Sequence, residues 1–159
     1  MHICTTKTNE TLKIIETNAD NKDFITLCDK LYVDLNELIN LEIPKKPYSL
    51  ESSAIEHVFI VYLKNVPIAC ASYREYNSDT VELKRVFLDP SHRNKGICQL
   101  LLSYMEKEIV SRGYKQIILE TRKGLDTALI IYNKLNYKII SNFKPYENST
   151  DSICMCKIL

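Results

Sequence analysis

The segment Arg93-Asn94-Lys95-Gly96 stands directly ahead of an amphipathic stretch beginning Ile97-Cys98-Gln99-Leu100. The first turn of a helix leaves backbone N–H groups without partners and carries a partial positive charge, so it can hold a phosphate. A glycine at position 96 lets a ligand approach the backbone, and Arg93 and Lys95 add local positive charge. The same residues also suit an ordinary helix start with a solvated basic face. A short glycine motif alone does not decide between the two. Other reactive side chains are scattered. Six cysteines (Cys4, Cys28, Cys70, Cys98, Cys154 and Cys156) form no C-x-x-C pair and sit mostly in apolar segments, as reduced structural thiols do. Three histidines without ligand spacing give no zinc motif, so no metal is expected.

For a helix start to meet a ligand, a strand must deliver the chain to it. Thr80 to Leu88 is β-rich and ends at the turn Asp89-Pro90. After Gly96 the period changes: Ile97, Leu100, Leu101, Tyr104, Met105 and Ile109 recur at helical spacing, predicting a helix over 96–112 closed by Gly113. Upstream, Thr11–Thr17 reads as a strand, and Asp20 or Asn21 caps a helix running to about Ile39. Leu41 to Ser53 is a loop or irregular helix. Val58–Leu63 and Ile68–Tyr73 form a hairpin through Lys64-Asn65-Val66-Pro67, and Asn77-Ser78-Asp79 makes a second turn. Downstream come a strand at Tyr114–Thr121, a helix at Leu125–Leu135 ending on Asn136, and strands at Tyr137–Ser141 and Ser152–Ile158. The fold class is α+β: a mixed sheet with helices packed on it.

Length and charge narrow the class further. The chain has 159 residues, 21 basic and 20 acidic, with 45 % apolar residues. The length suits one domain over residues 1–159, and the composition is that of a globular protein. A net charge of +1 argues against a nucleic-acid partner. No apolar run is long enough to cross a bilayer, and Met1–Glu10 has no signal-peptide core, so no membrane partner and a cytoplasmic location are expected.

The central segment resembles the acyl-CoA-binding motif of the GNAT superfamily of N-acetyltransferases, R/Q-x-x-G-x-G/A. Arg93 and Gly96 match the first two specified positions, and Cys98 stands at the third. The segment from Glu120 to Tyr137, E-T-R through A-L-I-I-Y-N-K-L-N-Y, is similar to a second family motif at the expected separation. The ending, Pro145-Tyr146 through Lys157, resembles a bacterial branch of small single-domain members. The likeness covers about residues 11–159. It implies a central sheet of six to seven strands that splays between the strands holding Leu88 and Glu120. It also implies acetyl-CoA as cosubstrate and an amine on a small molecule or peptide as acceptor, attacking directly in a ternary complex. A homodimer stays compatible with the chain.

The resemblance further implies roles by residue. Val86, Phe87 and Leu88 would pair their backbone with the pantetheine arm, and a backbone N–H near Leu88 would polarise the thioester carbonyl. The N–H groups of Asn94, Lys95, Gly96, Ile97, Cys98 and Gln99 would surround the diphosphate, beside Arg93. Tyr132 falls where the family places a tyrosine beside the cofactor sulfur. Glu82 and Glu120 fall at the two positions where members carry a general base, with Glu82 ranked slightly ahead. Either carboxylate could instead pair with Lys84, Arg85 or Arg122. The acceptor site would be built from the first helix, Pro44–Glu56 and Asn142–Asp151, with Tyr32, Tyr48, His57, Tyr73, Phe143 and Tyr146 as aromatic candidates. Two departures stand out. Cys98 replaces glycine or alanine and could be a redox-sensitive thiol at a helix start, and Leu125 stands where relatives carry asparagine. Both suit an alternative, a non-catalytic acyl-CoA-binding module with the same fold.

Overall fold

A computed structural model of the chain describes residues 1–5, 10–40 and 57–159. Its strands are β1 (His2–Thr5), β2 (Thr11–Thr17), β3 (His57–Leu63), β4 (Val66–Asn77), β5 (Thr80–Leu88), β6 (Gln116–Arg122), β7 (Lys138–Ile140) and β8 (Ser152–Ile158). The helices among the described residues are α1 (Lys22–Ile39), α2 (Ile97–Ser111) and α3 (Asp126–Lys134). Local chemistry sets their ends. The Asn21 side chain accepts from the N–H groups of Asp23 and Phe24, which caps α1, and Asn40 ends that helix in the left-handed region. Lys64 and Asn65 both have positive φ, so β3 and β4 join through a two-residue turn that suits the strand twist.

The strands form one sheet in the order β1-β2-β3-β4-β5-β6-β8-β7, antiparallel except for the β5–β6 pair. Alternate residues face opposite sides. Phe59, Val61, Ala71, Tyr73, Val81, Leu83, Ile117, Leu119 and Met155 face α2 and α3. Val58, Ile60, Cys70 and Phe87 face Phe24, Leu27 and Cys28 of α1.

The parallel pair is short. β5 and β6 are in register only from Thr80–Gln116 to Leu83–Leu119. Beyond that point β5 stays with β4 through Phe87 and Leu88, while β6 stays with β8 as far as Arg122. The two central strands therefore diverge inside the sheet. An extra residue causes the bend: between the Ser72–Lys84 and Cys70–Phe87 pairs, β5 carries one residue more than β4, and Arg85 has φ 54°. Such a bulge bends its strand and increases the local twist. It also turns Lys84 and Arg85 toward the same side, that of α1.

Three features differ from the sequence reading. Among the described residues the sheet has eight strands, where the sequence implies six to seven, because β1 adds an edge strand whose residues are largely exposed and show no apolar alternation. β4 runs on past Tyr73 to Asn77, since Arg74, Glu75 and Tyr76 leave the core but keep the ladder to β5. Val66 and Pro67 belong to β4, with the register shift at Val61/Tyr62 absorbing the proline. The Leu41–Ser53 loop lies outside the described residues. Among the described residues no helix is long and apolar enough to cross a membrane.

Candidate functional site

The loop between β5 and α2 is shaped by its own side chains. Asp89 Oδ1 accepts from the Ser91 N–H at 3.1 Å and from its hydroxyl at 2.6 Å, closing a 3-10 turn at Pro90–His92. Asn94 and Gly96 then take left-handed conformations, φ 63° and 77°. No side chain caps α2, and its first turn holds no acidic residue. The first helical bond is the Leu100 N–H to the Gly96 carbonyl, 3.0 Å, so the amides of Ile97, Cys98 and Gln99 precede it. A Cβ built on Gly96 meets nothing within 4 Å. Gly96 is thus required by its backbone angle, and the space above it is open. These features fit an anionic diphosphate.

The cationic side chains of this loop are not free, contrary to the simple charge argument. Arg93 Nη2 donates to Asp34 Oδ2 of α1 at 2.6 Å and its Nε to the Leu88 carbonyl at 3.2 Å. Lys95 stands 4.0 Å from Glu10. Cys98 also departs from the redox reading. Burial pushes its thiol up to about 11, against the opposing charge of Arg93. Burial likewise raises Cys154 and Cys156, which share a strand face.

Beside the loop, Val86 and Leu88 face the α2 side and Phe87 faces α1. Tyr132 of α3 is 8 % exposed. Its hydroxyl has no hydrogen-bond partner among the described residues. Burial raises its phenol well above the ordinary value, and the charges of Cys98 and Glu120 push the same way. Tyr132 belongs to the core cluster on the α2 side of the sheet, its ring 5.6 Å from that of Tyr137.

The two carboxylates differ sharply. Both lie on the α1 side of the sheet, as do their neighbours Arg74 and Ser152. Glu82 is fully buried. Its Oε2 accepts from Arg74 Nε and Nη2, both at 2.7 Å. Its Oε1 accepts from the Tyr146 hydroxyl at 3.2 Å, with Lys84 Nζ 3.6 Å away. Glu120 accepts one bond, from Ser152 Oγ to Oε1 at 2.6 Å. Burial raises its pKa, Ser152, Arg122 and Lys84 pull it down, and Glu82 adds to the rise. Glu82 is therefore saturated, whereas Glu120 keeps an oxygen available. The sequence ranks Glu82 slightly ahead as a base; of the two, Glu120 is the one with fewer partners. No group of three or more His, Cys, Asp or Glu among the described residues could hold a metal ion.

The aromatic candidates separate by sheet face. Tyr146 lies over Lys84, with Phe143 edge-on to it at 5.5 Å. Tyr32 accepts from Arg85 Nη1 at 2.7 Å. His57 and Tyr73 do not belong to this group. They pair in register, stack at 4.8 Å and bond Arg112 at the far end of α2, because Tyr73 points to the other face. Tyr48 and Pro44–Glu56 lie outside the described residues.

A strand-loop-helix with an uncapped helix start, set beside a gap in a mixed sheet, agrees with the family comparison. The Acetyltransferase (GNAT) family model matches residues 26–137, well over half of the chain. The chain belongs to the GNAT acetyltransferase family. It is similar to the uncharacterized N-acetyltransferase YsnE of Bacillus subtilis (strain 168), 26 % identical over 92 residues that cover 57 % of this chain and 61 % of that protein. The chain thus spans about three fifths of that relative's length. Among solved structures, the GNAT domain of S. lividans PAT superposes with a TM-score of 0.79 at 10 % identity, over 99 % of this chain and 96 % of that one. The PaiA N-acetyltransferase of Thermoplasma acidophilum, solved in complex with coenzyme A, gives 0.74 at 17 % identity over 93 % and 99 %.

Within this GNAT fold, two residues escaped the sequence reading. Ser152 sits two residues from Cys154, which lies opposite Glu120, and so on the same face, and no motif marks it. Asp34 is one helical turn past Lys30, and those two residues tie α1 to the loop through Arg93 and Asp89. Their spacing was a readable signal, but only with the loop already in place.

Proposed function

We propose that this chain transfers an acetyl group from acetyl-CoA to an amine by direct attack in a ternary complex. The observation that carries the proposal is the gap between β5 and β6 beyond Leu83 and Leu119, with Glu120 the first β6 residue past the ladder and the uncapped start of α2 following the end of β5; Tyr132 would stand beside it. The N–H groups of Asn94, Lys95, Gly96, Ile97, Cys98 and Gln99 would hold the diphosphate. Because Arg93 is paired with Asp34, it braces the loop rather than gripping the phosphates. The backbone of Val86, Phe87 and Leu88, which has no β6 ladder beside it, would take the pantetheine arm.

Acetyl-CoA, when bound, supplies a thioester. Glu120 takes the proton from the acceptor amine as the C–N bond forms and the C–S bond breaks. Its raised pKa makes it a better base than an ordinary carboxylate. Tyr132 donates a hydrogen bond to the departing sulfur and keeps its own proton, since burial raises the phenol far above a thiol. The sulfur is then protonated from solvent. Glu82 holds Arg74, Lys84 and Tyr146 in place on the acceptor side. The acceptor is an amine of a small molecule or peptide.

Incubation with acetyl-CoA and a broad amine panel, with liberated CoA and acetylated amine followed by mass spectrometry, tests this. Turnover on at least one amine is expected. Acetyl-CoA binding without turnover on any amine would contradict it and favour a carrier-binding module.

A further inference from the structure

The acceptor side of the gap carries an uneven charge. Lys84 and Glu120 are the residues that follow the last β5–β6 pair, Leu83–Leu119, and the Lys84 charge acts on Glu120. Arg122 follows Glu120 by two residues on the same face, a spacing of about 6.6 Å along a strand. On this face Arg74 and Lys84 pair with Glu82, and the charges of Lys84 and Arg122 act on Glu120.

The pairing is not even either. Arg74 places both of its bonds on Glu82 Oε2 and so answers that charge. Lys84 donates to the Tyr146 hydroxyl at 3.1 Å and lies 3.6 Å from Glu82. Its side chain is 26 % exposed, so an ammonium with three donors keeps one for a ligand. Arg122 is half-buried and has no hydrogen bond or ion pair among the described residues. It acts on Glu120 only through its charge. Once Glu120 accepts the amine proton, Arg122 has no ionised counter-charge among the described residues, and Lys84 keeps only Glu82, which it shares with Arg74. A partly buried cation without a counter-charge is costly.

We infer that the acceptor is an amine bearing a carboxylate on the adjacent carbon, an α-amino acid or close analogue, with Lys84 and Arg122 holding that carboxylate beside Glu120. This rests on the acetyltransferase reading above. An adjacent carboxylate reaches the two cations while the nitrogen stays at Glu120, and it completes the charge balance. Both cations also disfavour the ammonium form, so the bound amine is released toward its neutral, attacking form. Acceptors with a second ammonium, such as polyamines, meet repulsion here.

The test compares matched acceptors on the full chain with acetyl-CoA: alanine, leucine and phenylalanine, the amide of each, and the decarboxylated amine of each. The amides are less basic and would be the better acceptors if the carboxylate were not recognised. At least one amino acid is expected to exceed its amide and its decarboxylated amine by tenfold or more in kcat/KM. Lys84→Gln and Arg122→Gln should each raise KM for that amino acid and pull the ratio toward one, with acetyl-CoA affinity retained. Equal or better turnover of the amide or simple amine would overturn the inference while leaving the acetyltransferase reading intact. So would a preference that survives in both variants, or turnover confined to amines without a carboxylate. Tight acetyl-CoA binding with no turnover on any amine would overturn both.

Discussion

The guanidinium of Arg93 ends on Asp34, with Nη2 2.6 Å from Oδ2, and its Nε closes onto the Leu88 carbonyl. One side chain thus joins the end of β5, the phosphate loop and α1. Such a partly exposed pair is worth about 1 kcal/mol after solvent screening. Asp34→Asn and Arg93→Gln should each lower stability by about that amount and weaken acetyl-CoA binding by only a few-fold. The double variant should be no worse than either single one, as a double-mutant cycle by thermal denaturation would show. An Arg93→Gln loss of a hundredfold or more in affinity would instead mean that the guanidinium grips the diphosphate directly.

Tyr132→Phe removes only a hydroxyl that has no protein partner among the described residues, so the fold should tolerate it. A hydrogen bond to a developing thiolate is worth about 1.5–3 kcal/mol. The variant should lose roughly 10- to 100-fold in kcat with little change in acetyl-CoA affinity. An unchanged kcat would remove Tyr132 from the reaction.

The two carboxylates should separate by experiment. Glu120→Gln should abolish most activity while the protein stays folded. In the parent, kcat/KM should rise with pH through an apparent pKa above the ordinary carboxylate value of about 4.3, because burial raises Glu120 and only its ionised form accepts a proton. Arg122→Gln removes a charge that lowers this pKa, so the limb should move to higher pH. Glu82→Gln breaks a buried ion pair with Arg74 and should cost about 3 kcal/mol of stability, read as a lower midpoint of denaturation. A folded Glu82→Gln protein without activity, beside an active Glu120→Gln, would reverse the assignment.

Cys98, at about 11, should resist alkylation. At pH 7.5 its thiolate fraction is about 300-fold below that of an ordinary thiol of pKa ~8.5. Peptide mapping after iodoacetamide should find Cys98 unmodified long after a small-molecule thiol has reacted. Rapid labelling at this residue would restore the redox reading.

Much of this arrangement was legible in the residues themselves. β2, β5 and β8 have the expected bounds because apolar alternation and flanking turn residues agree there. The start of α2 was legible from Gly96 and the helical period that follows it. β1 was not, since an exposed edge strand needs no apolar pattern. The saturation of Glu82 was hidden for a different reason. It depends on the Arg74–Glu82 register across the β4–β5 hairpin, with two register shifts, and on Tyr146 arriving from a segment 64 residues away. The opening between β5 and β6 depends on the bulge at Arg85, where a non-glycine residue takes positive φ without any sequence signal.

The most direct measurement is the amide spectrum of the ¹⁵N-labelled chain during titration with acetyl-CoA. Asn94, Gly96, Ile97, Cys98 and Gln99, together with Val86 and Leu88, should shift most and saturate together, and Gly96→Val should abolish the response. Shifts concentrated elsewhere, for instance around the 460 Å³ surface cavity lined by Val110, Lys157 and Ile158, with the α2 start unmoved, would contradict the account.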